Sequence, residues 1–129
     1  MKSLLSKSEE NYEAFHILCD AGKYSSSIHC AYYSAFQLTM HVLTDKFGFD
    51  ISFLIDHRKD SHRTVISEMC NAMENELDLK PLSYKKTMKK LKKMRSVADY
   101  TMSEIGFGQA TKIEGDLNEV MTFLKSKCL

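Results

Sequence analysis

The sequence predicts an all-α fold, an antiparallel up-and-down bundle of four to five helices, on three observations. Apolar residues recur at steps of three, four and seven, the repeat of one helix face. No stretch alternates apolar and polar residues for long enough to make a strand. Most of the few chain breakers, Pro81 and five glycines, fall between the periodic segments, and helices joined by short connections pack antiparallel.

The first helix is predicted from about Ser6 to Ala21, with Leu5, Tyr12, Phe15 and Cys19 on one face and Gly22 as its stop. The second opens in the serines after Tyr24 and runs to about Phe47. Its core side reads Ile28, Ala31, Tyr32, Ala35, Leu38 and Val42, and a flank adds Phe36, Met40 and Leu43. So wide an apolar surface belongs to a central helix. Small residues at Ser27, Ala31, Ser34 and Ala35 allow a partner helix to approach closely.

Residues 48–60 form the one long connection, with Ile51, Phe53, Leu54 and Ile55 available to tuck back onto the bundle. Asp60 or Ser61 caps a third helix, whose face reads His62, Val65, Ile66, Met69, Cys70, Met73 and Leu77. Pro81 suits the first turn of a fourth helix, which places Tyr84, Met88, Leu91, Arg95, Ala98 and Met102 on one stripe. Ser103 to Gly108 reads as a turn, and a fifth helix follows with Ala110, Ile113, Leu117, Val120 and Leu124. No linker or repeat divides residues 1–129, which read as one domain.

A formal net charge of +1 gives the whole chain no bulk attraction for nucleic acid or an acidic membrane, so any charged partner must meet a local patch. Cys19, Cys30, Cys70 and Cys128 form no C-x-x-C pair and match neither a zinc site nor a disulfide framework. Free thiols on apolar helix faces suit a reducing compartment. No leader and no membrane span is readable, and a cytoplasmic protein is expected.

Arg95 occupies a position in the fourth stripe where leucine is expected, one turn before Asp99. A guanidinium there needs partners for its five donors or a route to water. Two readings stand open: a structural ion pair with Asp99 that fixes the bundle, or an anion site, since the planar fork suits phosphate oxygens. Around it the fourth helix is strongly basic. Lys80, Lys85, Lys86, Lys89, Lys90, Lys92, Lys93 and Arg95 follow one another with no acid until Asp99. Such a run is either a solvated face or a surface for an RNA backbone or an acidic protein.

The stretch AGKYSSSIHCAYYSAFQ, the piece DSHRTVIS and the fourth-helix ending RSVADY, in that order, resemble HEPN domains, the "higher eukaryotes and prokaryotes nucleotide-binding" family. The likeness runs from about Lys7 to Phe123 and is nearest to small stand-alone prokaryotic members. It implies a helical bundle that forms a symmetric homodimer, with the arginine of Arg-x-x-Ala-Asp-Tyr close to the dimer cleft. Many members are metal-independent ribonucleases, frequently toxins paired with a small nucleotidyltransferase-type antitoxin. Others are non-catalytic and bind nucleotide or a partner protein.

The ribonuclease form carries a histidine four to six residues after its arginine. Arg95 matches the arginine, but no histidine follows it, and Tyr100 stands five residues on. Metal-free RNA cleavage needs a proton acceptor and a proton donor. Histidine serves near neutrality, whereas tyrosine titrates near about 10. The first expectation is therefore a non-catalytic HEPN-like module that binds a nucleotide or RNA phosphate, or a protein partner such as a nucleotidyltransferase. Its expected site is Arg95, Asp99, Tyr100, Tyr32 and Tyr33, supported by the basic face Lys85, Lys86, Lys89, Lys90, Lys92 and Lys93. The alternative is a ribonuclease toxin using Arg95 with Tyr100 or with His62 folded towards it.

Of Tyr32 and Tyr33, about 100° apart on the second helix, one fills the core. The other lines a cleft or bonds Asp99. His57 and His62, with Asp56 and Asp60, match no metal-ligand spacing, and neither metal nor cofactor is implied. GFGQA lacks the strand and lysine of a phosphate loop.

Overall fold

The structure, a computed structural model, describes residues 3–52 and 61–129. Among these residues it is an all-α bundle of five helices with no strand. The helices are α1 (Leu4–Asp20), α2 (Tyr24–Phe47), α3 (Ser61–Glu76), α4 (Leu82–Tyr100) and α5 (Phe107–Phe123). Residues Leu124–Cys128 continue α5 as a π-helical turn that buries Leu124 and Cys128. No described helix is long and apolar enough to cross a membrane. Expectations for Phe53, Leu54, Ile55, Asp56, His57 and the Asp60 cap lie outside the described residues.

The caps explain the boundaries. Ser3 accepts from the Ser6 amide at 3.0 Å and starts α1. Gly48 closes α2 in the left-handed conformation (φ 65°), and the Phe49 amide reaches back to the Leu43 carbonyl at 2.9 Å. Pro81 is the cap residue of α4 and not part of its first turn. The Gln109 side chain accepts from the Gly106 amide at 2.7 Å and starts α5. That helix therefore begins at Phe107, and Gly108 lies inside it and not in the preceding turn.

Helix α2 is central and packs on the other four. Ile28, Ala31, Tyr32, Ala35, Leu38 and Val42 are fully buried, and Phe36, Met40 and Leu43 nearly so. Around them pack Phe15, Val65, Ile66, Met69, Met73, Tyr84, Met88, Leu91, Ile113, Leu117 and Val120. Helices α1 and α2 meet where small residues allow it. The Ser8 hydroxyl donates to the Ser34 carbonyl at 2.6 Å, and the Ser34 hydroxyl donates to the Ser8 carbonyl at 2.8 Å. Such reciprocal side-chain-to-backbone bonds need two helix backbones in near contact, which leucine at either position forbids. Deeper in, Tyr84 of α4 shares a hydrogen bond with Thr39 of α2 at 2.8 Å. Burial pushes the Tyr84 phenol far above its usual range, so it stays protonated.

One core expectation fails. Met102 is fully exposed. The backbone leaves the helix at Thr101 (φ −121°, ψ 167°), so the heptad stripe ends before Met102 can return to the core.

Candidate functional site

The site is built by α2 and α4, with His62 brought in from the start of α3. On α2, residues His29, Tyr32, Tyr33 and Phe36 follow the i, i+3, i+4, i+7 spacing of one face. Tyr32 is the tyrosine that fills the core, with no exposure, and Tyr33 is half-buried beside it. The last turns of α4 set Arg95 over these rings. Its Cζ lies 5.3 Å from the Tyr32 ring centroid and 5.7 Å from each of Tyr33 and Tyr100. Three electron-rich faces around one guanidinium hold it by the attraction of cation for ring quadrupole.

The ion pair expected between Arg95 and Asp99 is present but long, 3.9 Å from Nη1 to Oδ2. That carboxylate oxygen makes a closer contact to Nδ1 of His29, at 2.8 Å. Arg95 is mostly buried, with 12% of its side chain exposed. Its Nε is fully buried and has no hydrogen-bond partner among the described residues. Buried donors are normally satisfied, so this guanidinium holds hydrogen-bonding capacity that the protein does not use.

His62 stacks on Phe36, with centroids 4.3 Å apart and planes at 11°, and its Nδ1 lies 2.8 Å from the Tyr32 hydroxyl. It thus joins the cluster through the tyrosine that underlies Arg95. Tyr100 keeps its ring beside Arg95 while remaining 76% exposed, so it forms the outer edge of the cluster. Of the two roles open to Tyr33, lining a cleft or bonding Asp99, the bond to Asp99 is made by His29 instead. Cys30, half-buried near Asp99, has its thiol pushed up by burial and then by the Asp99 charge, so it is no nucleophile.

Sequence reasoning brought Arg95, Asp99, Tyr100, Tyr32, Tyr33 and His62 together, but it passed over His29. The signal was present in its place on the Tyr32–Tyr33–Phe36 face. Its partner, however, lies 70 residues away. The basic face is divided by the fold. Lys85, Lys89 and Lys92 line the groove towards α3, Lys90 lines a cavity towards α5, and Lys86 and Lys93 point to solvent. Among the described residues no group of three or more His, Cys, Asp or Glu has the geometry to hold a metal ion.

Set against known proteins, the chain matches no family model, no curated protein and no solved structure.

Proposed function

We propose that the chain is a HEPN-like, non-catalytic module that binds a nucleotide or RNA phosphate at the Arg95 cluster. The observation that carries this reading is the unspent guanidinium. Arg95 is held between aromatic rings, 3.9 Å from the Asp99 carboxylate, with Nε unpartnered among the described residues. A structural ion pair places its carboxylate at about 2.8 Å and satisfies both groups, and here Asp99 spends that distance on His29. An oxyanion accepts from the part of the guanidinium that reaches solvent, 12% of the side chain, and the exposed Tyr100 and half-exposed His29 rings offer a base a surface to stack on. The Arg-x-x-Ala-Asp-Tyr ending of α4 on an all-α bundle supports the family reading. Exposed Tyr100, Met102 and Phe107, at the end of α4 and the start of α5, support a homodimer through this end of the bundle.

The test is calorimetric titration with uridine monophosphate. Arg95→Ala abolishes measurable binding, because charge-assisted hydrogen bonds contribute about 1.5–3 kcal/mol each, while Lys89→Ala leaves it within about twofold. Equal effects of the two substitutions refute the site.

The His29–Asp99 contact favours a second reading, a metal-independent ribonuclease. A carboxylate bonded to Nδ1 orients an imidazole for proton transfer at Nε2. On this reading His29, and not Tyr100 or His62, is the proton-transfer group. Cleavage of an oligoribonucleotide in the presence of chelator, lost in His29→Ala and in Arg95→Ala, establishes it. Intact RNA after prolonged incubation with the native protein rejects it.

A further inference from the structure

A groove of about 600 Å³ runs between α3 and α4. One wall carries Lys85, Lys89 and Lys92, at the four- and three-residue steps of a single helix face, and the other carries Arg63. Among the described residues lining it, one carboxylate, Glu74, stands with these four cations. Mostly buried Ile66 and half-buried Cys70 close its base, and burial holds the Cys70 thiol protonated despite nearby Lys85. The groove is therefore a cationic channel with an inert floor.

Each wall has a lining residue within one helical turn of a residue of the Arg95 cluster. Lys92 precedes Arg95 by less than one turn of α4, and Arg63 directly follows His62 on α3. From Lys85 to Arg95 the cations extend about 15 Å along the helix axis. The two ends differ in chemistry. Among the described residues lining the groove there is no aromatic ring. The cluster end has Tyr33 and Tyr100 around a guanidinium, with His29 against the Tyr33 ring. A charged channel that follows a backbone, joined to aromatic faces that take bases, is how single-stranded nucleic acid is held without sequence reading.

We infer that the groove and the cluster form one track for a single-stranded polynucleotide, with its phosphodiester backbone along Lys85, Lys89, Lys92 and Arg63 and one nucleotide at Arg95. The end point of the track rests on the phosphate reading of Arg95. The lysine groove stands on its own charge and shape. An acidic peptide would meet the same lysines, but it has no use for an arginine set beside the exposed Tyr100 ring at the end of the row.

The experiment is fluorescence anisotropy with labelled oligo(U) of roughly ten nucleotides, within the range of single-strand site sizes. Its comparison ligands are uridine monophosphate and a glutamate-rich peptide of equal charge. Two triple variants remove the same charge from different faces: K85Q/K89Q/K92Q from the groove and K86Q/K90Q/K93Q from outside it. Loss of three phosphate contacts lowers the slope of log K against log salt by about 2 and weakens binding about 50-fold at 0.15 M salt. The groove triple shows this loss for the oligomer and leaves the mononucleotide unchanged, while the control triple changes oligomer binding less than about fivefold.

Equal losses in the two triples overturn the groove. So does an oligomer that binds no more tightly than the mononucleotide, and that result leaves the Arg95 site standing. Conversely, oligomer binding that needs the groove lysines but ignores Arg95→Ala sinks the phosphate reading of Arg95 and keeps the channel. Tighter binding of the glutamate peptide than of oligo(U) overturns the proposal in favour of a protein partner. Oligo(dT) run beside oligo(U) separates RNA from any single strand by its dependence on the 2′-hydroxyl.

Discussion

Replacing Arg95 with methionine separates a functional guanidinium from a structural one, because the first role predicts little change in stability and the second a large loss. Methionine keeps the unbranched stem and the packing on Tyr32, and it removes the charge. The unpartnered buried Nε costs the native state about 1–3 kcal/mol in unrecovered desolvation. Against this stand the favourable contacts that are lost. The ring contacts to Tyr33 and exposed Tyr100 contribute about 0.5–1 kcal/mol each, and the contact to buried Tyr32 about 2 kcal/mol, of which the methionine sulfur on that ring recovers about 0.3–1.5 kcal/mol. The Nη1–Oδ2 contact of 3.9 Å adds at most about 0.5 kcal/mol at this separation. Asp99 keeps His29 at 2.8 Å, so the substitution strands no carboxylate. The terms nearly cancel, and Arg95→Met is expected to stay within about 1 kcal/mol of the native protein, or about 4 °C in melting temperature. Urea unfolding followed by circular dichroism measures this with the slope as a check on two-state behaviour. Phosphate binding is lost in the same variant. A destabilisation of about 3 kcal/mol or more, the signature of a broken buried ion pair, refutes the reasoning and returns Arg95 to architecture.

Three further outcomes follow from the packing and charges. Ser8→Ala removes the hydroxyl that bonds the Ser34 carbonyl at 2.6 Å and costs about 1 kcal/mol, while Ser34→Leu forces α1 and α2 apart and costs about 3 kcal/mol or more in urea unfolding. Met88→Ala leaves a cavity and costs about 2–5 kcal/mol, whereas Met102→Ser, fully exposed, changes stability by less than about 0.5 kcal/mol in the same assay. Burial holds the Asp116 carboxyl above 3.8, more than nearby Lys90 offsets, so the folded chain binds its proton more tightly than the unfolded chain. Its ionised form is therefore unfavourable at neutral pH. Asp116→Asn raises the melting temperature there, and the gain disappears as pH falls below 3.8; a gain of equal size near pH 3 contradicts the assignment.

Helices and core were legible along the chain because helical periodicity is a local property. Ile28 to Val42 on α2 repeat every three or four residues, and any helix formed there buries that face. The misses fall at helix ends, where one residue's φ and ψ decide the outcome. Thr101 turns the chain out of α4, which exposes Met102, and Gln109 reaches back to Gly106, which places Gly108 inside α5. The candidate site was partly legible for the same reason. Arg95 breaks a local apolar rhythm, and Asp99 follows it by one turn.

What the sequence by itself determined is an all-α bundle with a cation in its fourth stripe and seven lysines on the same segment. Only the tertiary structure decided how those charges are shared. The rotation of α2 against α4 set His29 on Asp99 and left Nε of Arg95 without a partner among the described residues. The packing of α3 on α4 turned three of seven lysines into one wall of a groove. Spacing along a chain encodes which residues share a face of one helix. Which faces meet is decided by the interdigitation of side chains across helices, a property of the whole core and of no single segment.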